Sequence, residues 1–306
     1  MMDSFRHEAF LYRDDDEFVD ATSSFVRDGL EAGEPVLVTL RAERNDLLRA
    51  ALEDDGVDSL QFIDMADLGR NPARIIPAWR AFVEHARPKA VRGIGEPVWR
   101  GRSADELLEC GVHELLVNLA FSDGPEFWLL CPYDAGRLDS DNLDDARMTH
   151  PVVVEGGARR ASVAYSADQE RASLAGALPE PPGDTGHLSF GADTLGDARR
   201  WVGRYAAGAG LAPDKAANLV LAAHEVAANS VRHGGGCGRL RTWRSGPSVI
   251  VEVSDTGLVG DPLAGRIEPG QDGSGRGLWL VNHLCDLVQL RSSPSGTVVR
   301  LHMQAG

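Results

Sequence analysis

The chain has 306 residues, of which 43% are hydrophobic, and its net charge is −15. At roughly 100–200 residues per domain this length predicts two domains, and the ordinary apolar fraction allows each to bury a core. No apolar run approaches the ~20 residues that cross a bilayer, and the acidic start lacks a signal-peptide core, so we expect a cytoplasmic location without membrane contact.

Charge and lysine usage exclude several classes of protein. Residues 186–306 carry 12 Lys and Arg against 10 Asp and Glu, whereas residues 1–185 carry 19 against 36. With no basic stripe, direct binding to nucleic acid is not expected. The two lysines, Lys89 and Lys215, stand in neither a P-loop nor the lysine-bearing strand of a eukaryotic protein kinase, which excludes both classes.

The four cysteines are Cys110, Cys131, Cys237 and Cys285. None forms a CxxC pair, so neither a zinc knuckle nor a disulfide scaffold is expected. We interpret them as reduced thiols that mostly fill the core, although Cys110 and Cys131 could also report redox state.

The first half alternates strands and helices. Repeated βα units predict an α/β domain over 1–155, with a RecA-like parallel sheet and helices on both faces. A capping box, Ser103 with Glu106 three residues later, marks the start of its longest helix. In order we predict a strand at 9–12, a helix at 15–32, a strand at 35–40, a helix at 44–53, a strand at 60–65, a helix at 71–85, a strand at 91–98, a helix at 103–121, a strand at 127–133 and a helix at 141–148.

The second half follows a segment rich in Pro, Gly and Ala. We predict a linker over 156–186 and a second domain over 187–306. Its helices come first and an antiparallel sheet follows, which predicts an α+β sandwich with the helices on one face. The predicted elements are a strand at 187–190, helices at 194–209 and 213–233, strands at 239–244 and 249–254, a helix at 278–284, and strands at 286–292 and 297–303.

The helix at 213–233 carries the first candidate site. Glu225 and Asn229 lie one turn apart on one face, where a carboxylate could take a proton and an amide oxygen could bind Mg²⁺. Such a pair is also common on solvated helix faces. The first domain holds a second copy of the spacing, from His113-Glu114 to Asn118, without glycine motifs behind it, and we interpret that copy as helix surface or core edge.

Three further motifs follow in order. Asp255-Thr256-Gly257 ends a strand, three alternating glycines at 273, 275 and 277 precede an apolar helix, and Thr297 begins the last strand. A glycine-rich helix start exposes backbone N–H groups that bind phosphate. Taken singly, each motif also has an ordinary interpretation. Asp255-Thr256-Gly257 is typical of a plain turn, the three glycines of a flexible loop, and Thr297 of a common strand residue.

Together and in this order, the motifs resemble the GHKL (Bergerat-fold) ATP-binding family over residues 186–306. The resemblance implies a Mg-ATP site in which Glu225 is the general base, Asn229 binds Mg²⁺ and Asp255 selects adenine. Gly257 would lie against the adenine ring, and Thr297 would support the adenine base. The glycines at 273, 275 and 277 would wrap the phosphates. The implied nucleotide-binding residues are Asn229, His233, Asp255, Gly257, Gly273, Gly275, Arg276, Gly277, Leu278 and Thr297.

The signature that ends at His233 resembles the anti-sigma-factor serine kinases. That resemblance implies a protein that sequesters a sigma factor and phosphorylates a serine of a STAS anti-anti-sigma protein. Val259 departs from the family's second glycine, and the lid before Gly273 is short. Two alternatives therefore stay open: a non-catalytic, ATP-dependent partner-binding module, and a histidine-kinase-like ATPase that acts with a separate phosphoacceptor.

The first half resembles the MEDS sensory domain over about residues 5–152. The segments that carry the resemblance run from His7 to Val38 and include RGIGEPVW, FWLLCPYD and ARMTHP. The resemblance implies a small-molecule sensor, and MEDS followed by a GHKL module is the arrangement of an actinobacterial anti-sigma regulatory family. We expect an effector pocket at the carboxyl ends of the strands, with a homodimer left open. Its candidate residues are Glu96, Trp99, His113 and Tyr133.

Overall fold

The computed structural model describes residues 5–52, 60–124, 126–166, 176–183, 185–270 and 275–305. The chain divides into two compact units, unit 1 (Met1–Glu170) and unit 2 (Arg171–Gly306). Each unit contains a sheet and a hydrophobic core of its own. Among the described residues, no helix combines the length and the apolar character that a bilayer crossing requires.

The sheet of unit 1 is parallel except at one edge. Its strands are β1 (Phe5–Tyr12), β2 (Val36–Leu40), β3 (Gln61–Asp64), β4 (Val91–Gly95), β5 (Phe127–Asp134), β6 (Val152–Glu155) and β7 (Ala158–Ala161). They lie in the order β3-β2-β4-β5-β1-β6-β7. Among the strand pairs of the described residues in this sheet, only β6–β7 is antiparallel. Strands β1 and β5 pair over their whole length, so they form the centre of the unit.

The helices of unit 1 follow the βα alternation. They are α1 (Asp15–Glu31), α2 (Ala42–Ala51), α3 (Met65–Leu68), α4 (Ile75–Ala86), α5 (Ala104–Phe121) and α6 (Ser140–Thr149). The predicted capping box of α5 is present, because the Ser103 side chain accepts the Glu106 N–H and the Glu106 carboxylate accepts the Ser103 N–H. Such reciprocal bonds satisfy two amides that a helix start otherwise leaves free.

Helices cover both faces of this sheet, as alternate residues of β5 show. Leu130 lies in one core cluster with Phe18 of α1 and Leu48 of α2. Phe127 points the other way, with its ring 5.6 Å from Trp79 of α4. A Cβ atom at Gly93 would lie 2.7 Å from that indole, so glycine makes room for it. The predicted α/β fold is confirmed.

Some boundaries in unit 1 differ from the sequence prediction. The predicted helix at 71–85 begins as a separate 3₁₀ turn, Pro72–Arg74, and α4 starts after it. Strand β7 lies within the segment predicted as linker, because the edge of the sheet continues past the turn at Gly156 and Gly157. The exact domain bounds stay a prediction.

Unit 2 has an antiparallel sheet with helices packed on one face, and the predicted α+β fold is confirmed. Val249, Val251 and Val253 share one side of their strand and join the core with Ala222 and Ala223 of a helix. The strands are β8 (Gly186–Gly191), β9 (Cys237–Ser245), β10 (Ser248–Asp255), β11 (Leu287–Ser293) and β12 (Gly296–Gln304), in the order β11-β12-β10-β9-β8. The helices are α7 (Leu195–Gly208), α8 (Pro213–His233) and α9 (Arg276–Leu284).

Candidate functional site

A cavity of about 550 Å³ lies in unit 2, bordered by α8, the end of β10 and the start of α9. Its volume falls within the range of about 300–1,000 Å³ that small-molecule pockets occupy. Ten of the eleven residues predicted for the nucleotide site line this cavity, and the eleventh, Gly273, lies outside the described residues. The ten are Glu225, Asn229, His233, Asp255, Gly257, Gly275, Arg276, Gly277, Leu278 and Thr297.

Helix α8 presents Glu225 and Asn229 to the cavity because an adjacent face of the helix is buried. Ala222 and Ala223 pack in the core, which fixes the rotation of the helix. The start of α9 comes against both polar side chains. A Cβ atom at Gly277 would lie 3.1 Å from Asn229 Nδ2 and 3.4 Å from Glu225 Oε2. A carboxylate and an amide thus meet the glycine segment at one point of the cavity wall.

Asp255 ends β10 with both carboxylate oxygens already hydrogen-bonded. Oδ1 accepts the Gly257 N–H at 2.8 Å, and Oδ2 accepts the Ser230 hydroxyl at 2.6 Å. Each carboxylate oxygen has two acceptor sites, so one remains on each atom for a ligand donor. Because these two bonds fix its orientation, Asp255 offers its remaining acceptor sites in set directions.

Thr297 holds the loop that follows β10. Its hydroxyl donates to the Gly257 carbonyl at 2.9 Å and lies 2.7 Å from the hydroxyl of Ser292, its partner across β11 and β12. Ser292 also accepts the Val259 N–H at 2.8 Å. Ser230 and Ser292 were not among the residues predicted from the sequence. Ser230 directly follows Asn229 on a motif helix, and this adjacency was the available signal.

The start of α9 suits an anionic ligand. Gly275 is its N-cap and has φ +79°, a backbone conformation that side chains disfavour. The first amides of a helix have no acceptor within the helix, and the helix dipole adds partial positive charge there. Since Gly275 and Gly277 line the cavity, the predicted phosphate-binding backbone lies at its wall.

A second cavity of unit 2, of about 620 Å³, shares Asp255 and Thr297 with the first one. Three of its charged groups pair with each other, because Glu252 lies 2.7 Å from Arg241 Nε and 2.6 Å from Arg300 Nε. The 550 Å³ cavity is the better candidate for a nucleotide, because the predicted motif residues line it.

In unit 1, two of the residues predicted for an effector pocket, Glu96 and Trp99, both contact Arg41. The Glu96 carboxylate lies 3.5 Å from Arg41 Nε, and the Arg41 guanidinium lies 5.9 Å from the centre of the Trp99 ring. Arg102 stacks closer on the same indole, at 3.6 Å. Burial raises the pKa of Glu96 to about 7, although Arg41 opposes the shift.

The other two predicted pocket residues lie deeper in unit 1. His113 is buried on α5, and Tyr133 is buried on β5, where its hydroxyl donates to Glu114 Oε1 at 3.1 Å. Tyr133 therefore bonds to Glu114, whereas Glu96 and Trp99 contact Arg41. The sensory role of all four residues stays a prediction.

Two family models match the chain. Residues 6–151 match the MEDS model, described as the methanogen/methylotroph, DcmR sensory domain, and residues 188–303 match the model of the histidine kinase-like ATPase domain. The chain therefore joins a MEDS domain to a histidine kinase-like ATPase domain. The resemblances to the MEDS domain and to the GHKL ATP-binding family are confirmed. A comparison with curated proteins finds no match.

Among solved structures, one similar chain is a crystal structure of the RsbU and RsbW domains of Rv1364c from Mycobacterium tuberculosis. It is 19% identical, with a TM-score of 0.31. The match covers 40% of this chain and 33% of that one, so this chain spans about a third of its length.

Proposed function

We propose that this protein is an anti-sigma regulator whose C-terminal domain binds Mg-ATP, sequesters a sigma factor and phosphorylates a serine of a STAS anti-anti-sigma protein. The N-terminal domain would control this activity in response to an effector. The observation that carries the proposal is the 550 Å³ cavity, in which a carboxylate, an amide and a glycine-capped helix start face one another. The match to an ATPase domain supports nucleotide as the ligand.

The residues present suit Mg²⁺ and ATP. The amide oxygen of Asn229 is a hard donor of the kind that Mg²⁺ prefers, and the bound ion would offset phosphate charge. Asp255 would accept the adenine amino group, and the amides at the start of α9 would bind phosphate oxygens. Glu225 would take the proton from the acceptor hydroxyl, since it is the carboxylate nearest Asn229 along α8.

The direct test incubates the full chain with Mg²⁺, γ-labelled ATP and the STAS proteins encoded in the same genome. We expect label on serine, which survives acid and is released by base. Acid-labile label on a partner would instead support a histidine phosphoacceptor. Nucleotide binding without transfer to any partner would support the non-catalytic module, which one feature favours: Val259 stands in place of the family's second glycine.

A matched pair of variants tests the role of Glu225. Glu225→Gln keeps the size of the side chain but removes the base, so we expect ATP affinity to be retained and transfer to fall by about 10²–10⁴-fold. Asp214→Asn, an exposed change on the same helix, should alter neither quantity. Calorimetry gives the affinity, and initial rates of label transfer give the activity. Equal rates for the two variants would remove Glu225 from the reaction.

A further inference from the structure

Four side chains that are far apart in the sequence converge inside unit 1. They are His7 on β1, Glu114 on α5, Cys131 on β5 and His150 at the C-terminal end of α6. Each is at most 2% exposed, and one ligating atom from each lies within 4.8 Å of the other three. Imidazole, thiolate and carboxylate are the groups with which proteins bind zinc.

The distances resemble the edges of a coordination tetrahedron. His7 Nε2 lies 3.1 Å from Glu114 Oε2 and 3.4 Å from Cys131 Sγ. Glu114 Oε2 lies 3.6 Å from His150 Nε2 and 4.0 Å from Cys131 Sγ. Bonds of about 2.0–2.3 Å to a tetrahedral zinc ion place neighbouring ligand atoms about 3.3–3.6 Å apart. The four donors therefore need only small movements to hold such an ion.

The outer hydrogen bond of His7 fixes which of its nitrogens faces the cluster. The Asn118 amide nitrogen lies within hydrogen-bond distance of the Glu114 and Thr149 carbonyls, so its oxygen faces His7 Nδ1, at 2.9 Å. A carbonyl oxygen only accepts, so Nδ1 carries the proton. In a neutral imidazole Nε2 then presents a lone pair to the cluster. This bonding is what second-shell partners of metal-bound histidines provide.

His150 has the same tautomer as His7. Its Nδ1 lies 2.8 Å from the Ala146 carbonyl, so Nδ1 carries the proton and Nε2 presents a lone pair. Within the described residues, this Nε2 has no hydrogen-bond partner although it is fully buried.

The described side chains of the cluster offer few donors to its acceptors. With these tautomers the Cys131 thiol is the donor for His7 Nε2, at 3.4 Å, while His150 Nε2 faces Glu114 Oε2 with no donor between them. A buried acceptor without a donor is costly. The hydroxyl of Tyr133 bonds Glu114 Oε1, which leaves Oε2 for the cluster. A divalent ion with one carboxylate, one thiolate and two neutral imidazoles gives a site of zero net charge, and charge neutrality favours burial.

We propose that His7, Glu114, Cys131 and His150 form a buried site for Zn²⁺. Four protein ligands leave no open position, which is the pattern of structural rather than catalytic zinc. The ion would tie α5 and the end of α6 to the two central strands β1 and β5. On binding, the Cys131 thiol loses its proton to solvent as the sulfur–zinc bond forms.

The first experiment uses the full chain, stripped with a chelator and then titrated with Zn²⁺ in competition with a chromophoric chelator. We expect one tightly bound equivalent. Co²⁺ in place of Zn²⁺ should give the visible bands of a tetrahedral ion and a thiolate charge-transfer band in the near ultraviolet. A folded chain that binds neither metal, or a cobalt spectrum without the thiolate band, would overturn the proposal.

Variants then assign the ligands. Cys131→Ser should remove the charge-transfer band, whereas a chain in which Cys110, Cys237 and Cys285 are all serine should keep it. Asn118→Ala should weaken zinc binding by about 10–100-fold through the orientation of His7. Glu84→Gln, an exposed change on α4, should leave zinc binding unchanged. Zinc binding that is equal in Cys131→Ser, Glu114→Gln and the unaltered chain would show an adventitious site and reject the assignment.

Discussion

Asp255 is positioned by hydrogen bonds from its own chain. Ser230 and Gly257 each donate to one of its oxygens, and Gly234 lies directly against the carboxylate. A Cβ atom at Gly234 would come within 2.5 Å of Asp255 Oδ1. The glycine that ends α8 therefore has a second role, because it lets the helix end approach the residue that we expect to read adenine.

Gly234→Ala tests this close approach. The added methyl group would displace the Asp255 carboxylate, at a cost of about 1–3 kcal/mol for overpacking, and we expect ATP affinity to fall by about tenfold or more. Gly208→Ala is the matched control, since a Cβ atom there meets nothing within 4 Å. Calorimetry with ATP measures both variants. If Gly234→Ala binds ATP as the unaltered chain does, Asp255 does not contribute to the binding of the base.

Glu96 gives unit 1 a pH dependence at the residue scale. Burial raises its pKa from an ordinary value of 4.5 to about 7, so the folded state holds the proton more tightly than the unfolded state. The stabilising contribution of the protonated acid is complete below about pH 4.5 and is lost as the pH rises through 7. Above that pH, the buried carboxylate depends on Arg41 for compensation.

The variant Glu96→Gln should remove this dependence. Its free energy of unfolding should rise relative to that of the unaltered chain as the pH increases from about 5 to 8, because the amide stays neutral throughout. Glu84→Gln, an exposed change on α4, serves as the control. Urea unfolding at several pH values gives the comparison. A difference between the two chains that does not change with pH would mean that Glu96 titrates normally.

At the scale of elements, helix α5 carries a capping box at its start and buried polar residues further along. Its capping box, Ser103 and Glu106, was visible in the sequence. Its later turns place Glu114 in the four-residue cluster and Asn118 against His7. A well-capped helix holds its length and rotation, which sets the position of these two side chains. The stability of the helix start therefore also affects the geometry of the proposed zinc site.

We expect Ser103→Ala to lower the free energy of unfolding of unit 1 by about 1 kcal/mol, since it removes the acceptor for the Glu106 N–H. Ser140→Ala, in the first turn of α6, is the control because the N-cap of α6 makes no side-chain capping bond. Chemical denaturation followed by circular dichroism measures both. Equal stabilities would show that the box adds nothing to this helix.

At the scale of the whole molecule, two separate hydrophobic cores predict two unfolding transitions, one for each unit. Phe18, Leu48 and Leu130 belong to the core of unit 1, whereas Val202, Leu219 and Val251 belong to that of unit 2. A ligand stabilises the fold that binds it, by about 2.7 kcal/mol when it is present at 100 times its Kd. Each ligand should therefore act on the unit that contains its site.

Differential scanning calorimetry of the full chain tests this expectation. We expect two unfolding transitions, of which Mg-ATP raises one and leaves the other in place, while zinc removal lowers only the other. The double substitution Gly234→Ala with Cys131→Ser should weaken the Mg-ATP shift and the zinc shift additively if the units unfold separately. A single transition that both ligands shift together would contradict independent unfolding.

Much of the nucleotide site follows from local sequence. Glu225 and Asn229 are four residues apart on one helix, and the alternating glycines mark the start of the next, so spacing alone placed them correctly relative to their own elements. The side chains that hold Asp255 and the loop after it did not follow in this way. Ser230 and Ser292 are unremarkable in sequence, and they matter because the packing of α8 and the β11–β12 pair brings them to the carboxylate and to Thr297.

The sequence by itself determined the two fold classes and the ordered set of nucleotide motifs, because periodicity, caps and glycine spacing are encoded within single elements. The tertiary structure alone decided that His7, Glu114, Cys131 and His150 meet. These residues come from four separate elements, and no spacing along the chain relates them. Full-length pairing of β1 with β5, and packing of α5 and α6 beside them, brings one ligating atom of each residue within 4.8 Å of the other three.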